Sequence, residues 1–364
     1  MTPPQNHRLL WGAIASHKRI GAKTIRHLFT SGLDAEAVWS ASYKTLRETG
    51  INDALAQEIP RWCNQFDRAK FVELLERDSI RIVLREDADY PHALNTTIGA
   101  PEVLFVRGTL PPAKPSIAVI GSRGPSEYGQ RILNQLIEPV VRAGIPVISG
   151  LALGTDANAH IVALDAFGYT CAVLGSGVDR TSIYPRSNAL LAERILDQGG
   201  GVISEFPPGT RPFKSHFPIR NRIIAGLVNA VVVVEATLDS GTMITARVAL
   251  EENREVLAVP GSILSAKSAG THKLIQGGAR LCTTAQDIFD ALQLDRVETC
   301  TKAQAELPLS TDERSLFDKL KTPQSADELS RLIDWSISRV NHALTMLELR
   351  QLVTRAGYQQ WARI

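Results

Sequence analysis

Cysteine is scarce in this chain: there are four in 364 residues, Cys63, Cys171, Cys282 and Cys300. None forms a C-x-x-C pair, so the sequence offers neither a zinc-ribbon spacing nor a disulfide framework, and reduced thiols of a cytosolic protein are the expectation. An excess of one charge is also missing. Lys and Arg total 40 against 38 Asp and Glu, a formal net charge of +2. That is too little to attract nucleic acid as a whole, so any basic surface must arise by local clustering. No run reaches the roughly 18 consecutive apolar residues of a bilayer span. The opening stretch from Met1 to Arg8 is polar, and no apolar signal region follows it. A soluble, cytoplasmic protein is expected. Catalytic signatures are absent too: there is no G-x-x-x-x-G-K-[ST], no G-x-S-x-G, and no serine with a recognisable His/Asp partner pattern. These absences favour binding over catalysis, with no cofactor, no metal and no catalytic residue.

What is present is ordinary globular material, 44% hydrophobic, in a chain long enough for two or three domains. Residues 1–78 read as a helical domain, because Leu9, Leu10, Ile14, Ile25, Leu28 and Phe29 recur at near-helical spacing. Between them, Arg19 to Thr24 enclose Gly21. This is either a turn of a SAM-like or helix-hairpin-helix unit that offers N–H groups to a phosphate, or a plain helix stop. Residues 79–295 read as an extended Rossmann-like domain. Short β-branched runs at 117–120, 146–149, 171–174, 202–205, 230–235 and 256–259 alternate with helical patterns. Continuous apolar strands suit a mainly parallel, doubly wound α/β sheet covered on both faces. Residues 296–310 read as a polar linker. Residues 311–364 carry three helical patterns, 313–320, 326–332 and 338–349, then an extended end, the order of a winged helix. Charges there nearly cancel, which leaves DNA and protein contact both open.

In a parallel sheet, ligands sit outside the carboxyl ends of the strands, and the distinctive loops fall there. Ile120 to Gly124 places Ser122 and Arg123 between two glycines at a helix start, where anions are welcome. Ser149 to His160 holds Gly150 and Gly154 before a helix, and Asp156 and His160 share a face as a structural hydrogen-bonding pair rather than metal ligands. Gly175-Ser176-Gly177 lacks the third glycine of a dinucleotide fingerprint, since Arg180 stands in its place, and reads as a tight strand-to-helix turn. The stretch from Phe213 to Arg222 is the most informative: Lys214, Arg220 and Arg222 interleave with Phe213 and Phe217. Rings that stack on bases and cations that neutralise phosphates are what a single strand needs. The structural alternative packs Phe217 inside and pairs Arg220 or Arg222 with Glu205 or Glu235. Ser240-Gly241-Thr242 opens a further helix, and Lys267 and Lys273 extend a basic rim.

Taken in order, Gly121-Ser122-Arg123, the run from Ser149 to Gly154, Tyr184-Pro185, the string Phe217-Pro218-Ile219-Arg220-Asn221-Arg222-Ile223-Ile224-Ala225-Gly226-Leu227 and Ser240-Gly241-Thr242 resemble the DprA (Smf) DNA-processing family across its Rossmann-like domain. The resemblance implies a homodimer that binds and protects single-stranded DNA and loads the RecA recombinase during natural transformation. It also implies backbone contacts from Arg123 and Lys214, base stacking by Phe217, and a pocket lined or braced by Asn221 and Arg222. The glycine turns and Ser240-Gly241-Thr242 also resemble lysine-decarboxylase-like nucleotide phosphoribohydrolases, with Glu205 or Glu235 as the catalytic carboxylate. Only the end of that family's P-G-G-x-G-T loop is present.

Overall fold

The computed structural model describes residues 3–294, 310–320, 323–349, 353–355 and 360–363. The chain divides into two compact units, Met1–Leu294 and Asp295–Ile364. Six helices open the first: α1 (Pro3–Ala15), α2 (Ala22–Thr30), α3 (Ala35–Trp39), α4 (Tyr43–Glu48), α5 (Asp53–Gln65) and α6 (Arg68–Arg77). Four of them start on a side chain that accepts from the backbone N–H three residues on: Asp34, Ser42, Asn52 and Asp67. At the Gly21 turn, the N–H groups of Thr24 and Ile25 both bond to Gly21 O, and Arg19 is paired with Glu58. The turn is the start of α2, with Gly21 at its N-cap.

This helical segment was expected to stand as a domain, and it does not. Leu9, Ile14 and Leu28 share one continuous core with Leu84, Phe105, Ala172 and Val202 of the sheet. Arg8 grips Asp87 through both oxygens, and Arg26 pairs with Glu102 at 2.7 Å. The sheet face completes the core of the helical group.

The sheet has nine strands: β1 (Arg81–Leu84), β2 (Val103–Gly108), β3 (Ile117–Ile120), β4 (Val147–Ser149), β5 (Thr170–Val173), β6 (Gly201–Ser204), β7 (Ala230–Val233), β8 (Glu255–Ala258) and β9 (Arg280–Leu281), in the order β1-β2-β6-β5-β4-β3-β7-β8-β9. From β6 to β9 all pairs are parallel, and β2 and β1 join antiparallel at one end. The helices α7 (His92–Asn95), α8 (Glu127–Arg142), α9 (Thr155–Asp165), α10 (Ala189–Asp197), α11 (His216–Gly226), α12 (Gly241–Glu251), α13 (Ala269–Gln276) and α14 (Ala285–Ala291) complete the unit. β3 shows why its sequence is apolar throughout: Ala118 and Ile120 enter one core, while Ile117 and Val119 enter the core on the opposite face. The chain runs outward from β3 through β4, β5 and β6, then returns to the other side of β3 with β7. The sheet therefore reverses direction between β3 and β7.

Behind the sheet, His160 of α9 is buried. Its Nδ1 lies 2.7 Å from Thr170 Oγ1, which itself donates to Val147 O at 2.8 Å. Nδ1 therefore carries the proton, and Nε2 has no partner among the described residues. Burial pushes its pKa down to about 3. The unfolded chain takes up a proton at this residue below pH ~6.5 and the fold does not, so stability falls as pH drops through that value, approaching about 1.4 kcal/mol per unit. Urea unfolding at pH 6.5 and 5.5 checks this. His160→Asn should lose less stability between the two than the parent, and equal losses would contradict it.

The second unit contains α15 (Thr311–Lys319), β10 (Gln324–Ser325), α16 (Ala326–Ile333), α17 (Ile337–Leu349), β11 (Val353–Arg355) and β12 (Gln360–Arg363), with antiparallel sheet order β10-β12-β11. Leu316, Leu329, Val340, Leu344 and Trp361 form its core. Capping boxes at Ser310/Glu313 and Ser325/Glu328 start α15 and α16. This is the winged-helix architecture. The expected linker 296–310 lies outside the described residues apart from Ser310, and Cys300 falls within it. Cys63, Cys171 and Cys282 are free and buried. Among the described residues no helix is long and apolar enough to cross a membrane, and no cluster of His, Cys, Asp or Glu could hold a metal ion.

Candidate functional site

Where the sheet reverses, the loops after β3 and β7 part, as the geometry of open α/β sheets requires. A cleft of about 420 Å³ opens there. Its wall is built from residues 120–123, from Ala152 and Asp156 at the start of α9, from Phe217, Pro218 and Asn221 of α11, and from Thr237 and the first turn of α12.

The loop after β3 is tied down on several sides. Thr155 donates to Ser122 O from both its N–H, at 3.0 Å, and its hydroxyl, at 3.1 Å. The Thr242 hydroxyl donates to Gly121 O at 3.0 Å, and Lys267 donates to Gly124 O. Gly154 has φ +79° and comes so close that a Cβ there would lie 2.5 Å from Ser122 O and Arg123 O, so only glycine fits. Among the described residues, the held loop presents one cation outside any ion pair, Arg123. Its side chain is exposed, and its guanidinium carbon stands 5.7 Å from the Phe217 ring centroid, in cation–π range.

Phe217 is half-buried in the first turn of α11, where Pro218 costs no helical hydrogen bond. Tyr184, 47% exposed, inclines toward it with ring centroids 6.0 Å apart. One residue turn further, the helix changes character. Arg220, expected among the DNA-contacting cations, is 5% exposed. Its Nη1 donates to Gly150 O at 2.6 Å and also to Val173 O, while Nε donates to Asn221 Oδ1 at 3.0 Å. Gly150 leaves room for this guanidinium: a Cβ there would sit 2.3 Å from Arg220 Nη1 and would displace it. The N–H of Gly150 donates to Asp156 Oδ2 at 3.1 Å, which sets a buried carboxylate near the buried guanidinium. Burial lowers the Arg220 pKa to about 10 while the Asp156 charge opposes the shift, so the side chain remains a cation at neutral pH. Burial likewise raises the Asp156 pKa, opposed by Arg220.

Arg222 forms an ion pair with Glu205, whose side chain is 7% exposed. Burial raises the Glu205 pKa, and Arg222 opposes it. Glu235 accepts from the N–H and the hydroxyl of Ser126 at 2.8 and 2.5 Å, holding the residue that caps α8. Neither carboxylate lines the cleft. The glutamate pairing named as the structural alternative holds for Arg222 alone; Arg220 is buried on backbone carbonyls instead, and Phe217 is not packed inside.

Of the residues anticipated from sequence, Ser122, Arg123, Phe217, Arg220, Asn221, Ser240 and Thr242 meet at the cleft. Gly150 and Arg222 lie beneath it. Lys214 is exposed in the turn before α11 and Lys273 is exposed on α13, and neither lines the cleft. The 175–185 segment is not the expected tight turn. The next α-helix begins only at Ala189, and Asp179 stitches the loop by accepting from Thr181, Ser182 and Gly209. That longer loop is what brings Tyr184 to Phe217. The sequence marked Tyr184 only through its place before Pro185.

Two family models match this chain: DNA recombination-mediator protein A over residues 81–293, and the DprA winged helix domain over residues 301–357. It is 44% identical over 220 residues to Protein Smf of Escherichia coli K12, a stretch covering 60% of this chain and 58% of that protein. The chain thus spans little more than half of that relative's length. The X-ray structure of DNA processing protein A from Streptococcus pneumoniae superposes with a TM-score of 0.61 at 35% identity, covering 75% of this chain and 98% of that one. DNA processing protein A from Helicobacter pylori, solved for its single-stranded DNA binding mode, gives a TM-score of 0.52 at 27% identity, covering 59% and 95%.

Proposed function

Since the chain belongs to the DNA recombination-mediator protein A (DprA/Smf) family, we propose that it binds single-stranded DNA at the cleft between the β3 and β7 loops. The observation that carries this reading is the half-exposed Phe217 ring beneath the Arg123 guanidinium. A ring offers a stacking face to any unpaired base, and a neighbouring free cation offers a counter-charge to the phosphate that follows. Arg123 and Lys214 hold backbone phosphates and Phe217 stacks a base. The first N–H groups of α12, at Gly241 and Thr242, supply a further anion position beside Ser122, next to the Ser240 hydroxyl. Asn221 forms the cleft wall. Arg220, Arg222 and Gly150 act one layer below, keeping α11 and the loop after β4 in register. Lys273 extends the basic rim.

The protein works by binding rather than by catalysis. Family membership supports the further reading that it protects incoming single strands in the cytoplasm during natural transformation and passes them to RecA as a homodimer. Sedimentation of the protein alone and mixed with RecA tests the last two assignments.

Binding through phosphates carries a salt signature. The logarithm of affinity should fall linearly with the logarithm of salt, with a slope of about −0.7 for each phosphate neutralised on a single strand. Arg123→Ala and Lys214→Ala should each flatten that slope by roughly 0.7. Fluorescence anisotropy with labelled oligo-dT across a salt series measures it. Slopes that match the parent in both variants would remove these side chains from the interface.

A further inference from the structure

The turn that carries Lys214 also carries a second ring. Phe213 is 59% exposed, and its orientation is fixed. It meets His216 edge-on, with centroids 5.2 Å apart and planes at 70°. His216 in turn stacks on Phe206 at 4.0 Å and 15°. His216 is itself anchored: its N–H donates to Phe213 O at 3.0 Å, and its Nδ1 lies 3.2 Å from Gly175 O. A file of three rings thus holds one phenylalanine with much of its surface open to solvent. Packing does not account for that exposure, because Phe213 belongs to none of the cores of the first unit. Arg211 and Lys214 stand on either side of it in sequence, both exposed, and neither enters an ion pair among the described residues. Phe213 does not line the cleft that contains Phe217, and Lys214 lies between the two rings in sequence.

We propose that Phe213 is a second base-stacking subsite for single-stranded DNA, outside the cleft, joined to the Phe217 subsite by the phosphate that Lys214 holds. The inference rests on the reading of the cleft given above and extends it from one base to two. The ligand is then a strand with at least two unpaired bases that have left each other's stack, one on each ring. A pinned ring loses little freedom when a base lands on it, so it suits stacking without sequence preference.

The test is anisotropy with a labelled dT20 at a series of salt concentrations, using the full chain and its Phe213→Ala, Phe213→Trp and Phe217→Ala variants. Phe213→Ala should weaken binding about five- to tenfold, the low end for one stacked base. Phe213→Trp should bind at least as tightly as the parent. The salt slope should be unchanged in both, since a neutral ring releases no counterions. Thermal melting should be unchanged as well, because the side chain is exposed. Phe213→Ala binding within twofold of the parent, while Phe217→Ala loses affinity, overturns the second subsite and leaves the cleft reading standing. A loss in Phe213→Ala that Phe213→Trp does not restore also overturns it, because the turn rather than the ring then matters. Absence of parent binding at low salt overturns the cleft reading and this inference together.

Discussion

Replacing Phe217 by alanine should weaken binding of single-stranded DNA by about 10- to 100-fold, within the roughly 1–3 kcal/mol that one stacked base contributes. Among the described residues the ring is the only aromatic surface lining the cleft, and it already has the Arg123 guanidinium and the Tyr184 ring beside it. Alanine removes the stacking face and leaves Arg123 and Lys214 in place. The salt slope should therefore survive while affinity at every salt concentration drops in parallel. Phe217 is half-buried, so a modest loss of stability accompanies the change, and a melting curve run beside the titration separates the two effects. Retention of parent affinity would mean that bases do not stack on this ring.

The second large effect is on folding. Arg220→Met should destabilise the protein by on the order of 3–5 kcal/mol, the usual cost of removing one member of a buried charged network. The guanidinium bonds Gly150 O and Val173 O and lies near the buried Asp156 carboxylate. Methionine fills similar volume and leaves those groups without a donor. Arg123→Ala, at an exposed position, should change stability by no more than about 0.5 kcal/mol. Urea unfolding of both variants distinguishes a brace from a contact residue, although both arginines border the same cleft. An Arg220→Met protein with parental stability and lost DNA affinity would make Arg220 a direct phosphate ligand instead.

The contrast between these arginines shows where sequence reading stops. The six central strands were legible because each is a continuous apolar run buried on both faces: 117–120 is β3 to the residue, and 202–205 is β6 displaced by one. β1, β2 and β9 went unassigned: β1 and β9 are short and end the sheet, whereas β2 is six residues long and buried on both faces but stands in a stretch punctuated by Pro101 and Gly108, without the strand–helix alternation that marked the others. In α11, the cluster Arg220-Asn221-Arg222 looks like a basic surface strip. Which cations are free depends on partners far off in sequence, namely Gly150 and Val173 for Arg220 and Glu205 for Arg222. No local pattern encodes those meetings. Ser122, Arg123, Ser240 and Thr242 could be picked out because glycine turns at strand ends mark the loops of the switch point, and Lys214 because it stands among aromatics and cations three residues before Phe217. The family string around Phe217 is specific for a related reason: several of its positions are fixed by packing at once, and only Phe217, Pro218 and Ile219 remain to face outward.

The most direct test of the account is equilibrium competition. The parent protein is bound to labelled dT20 at low salt and challenged with unlabelled dT20 or with the same length annealed to its complement. The account predicts that the single strand displaces the label at much lower concentration than the duplex, because a paired base hides its faces from Phe217. Equal displacement by both, or no binding of the label at all, would contradict a cleft built around an aromatic ring for unpaired bases.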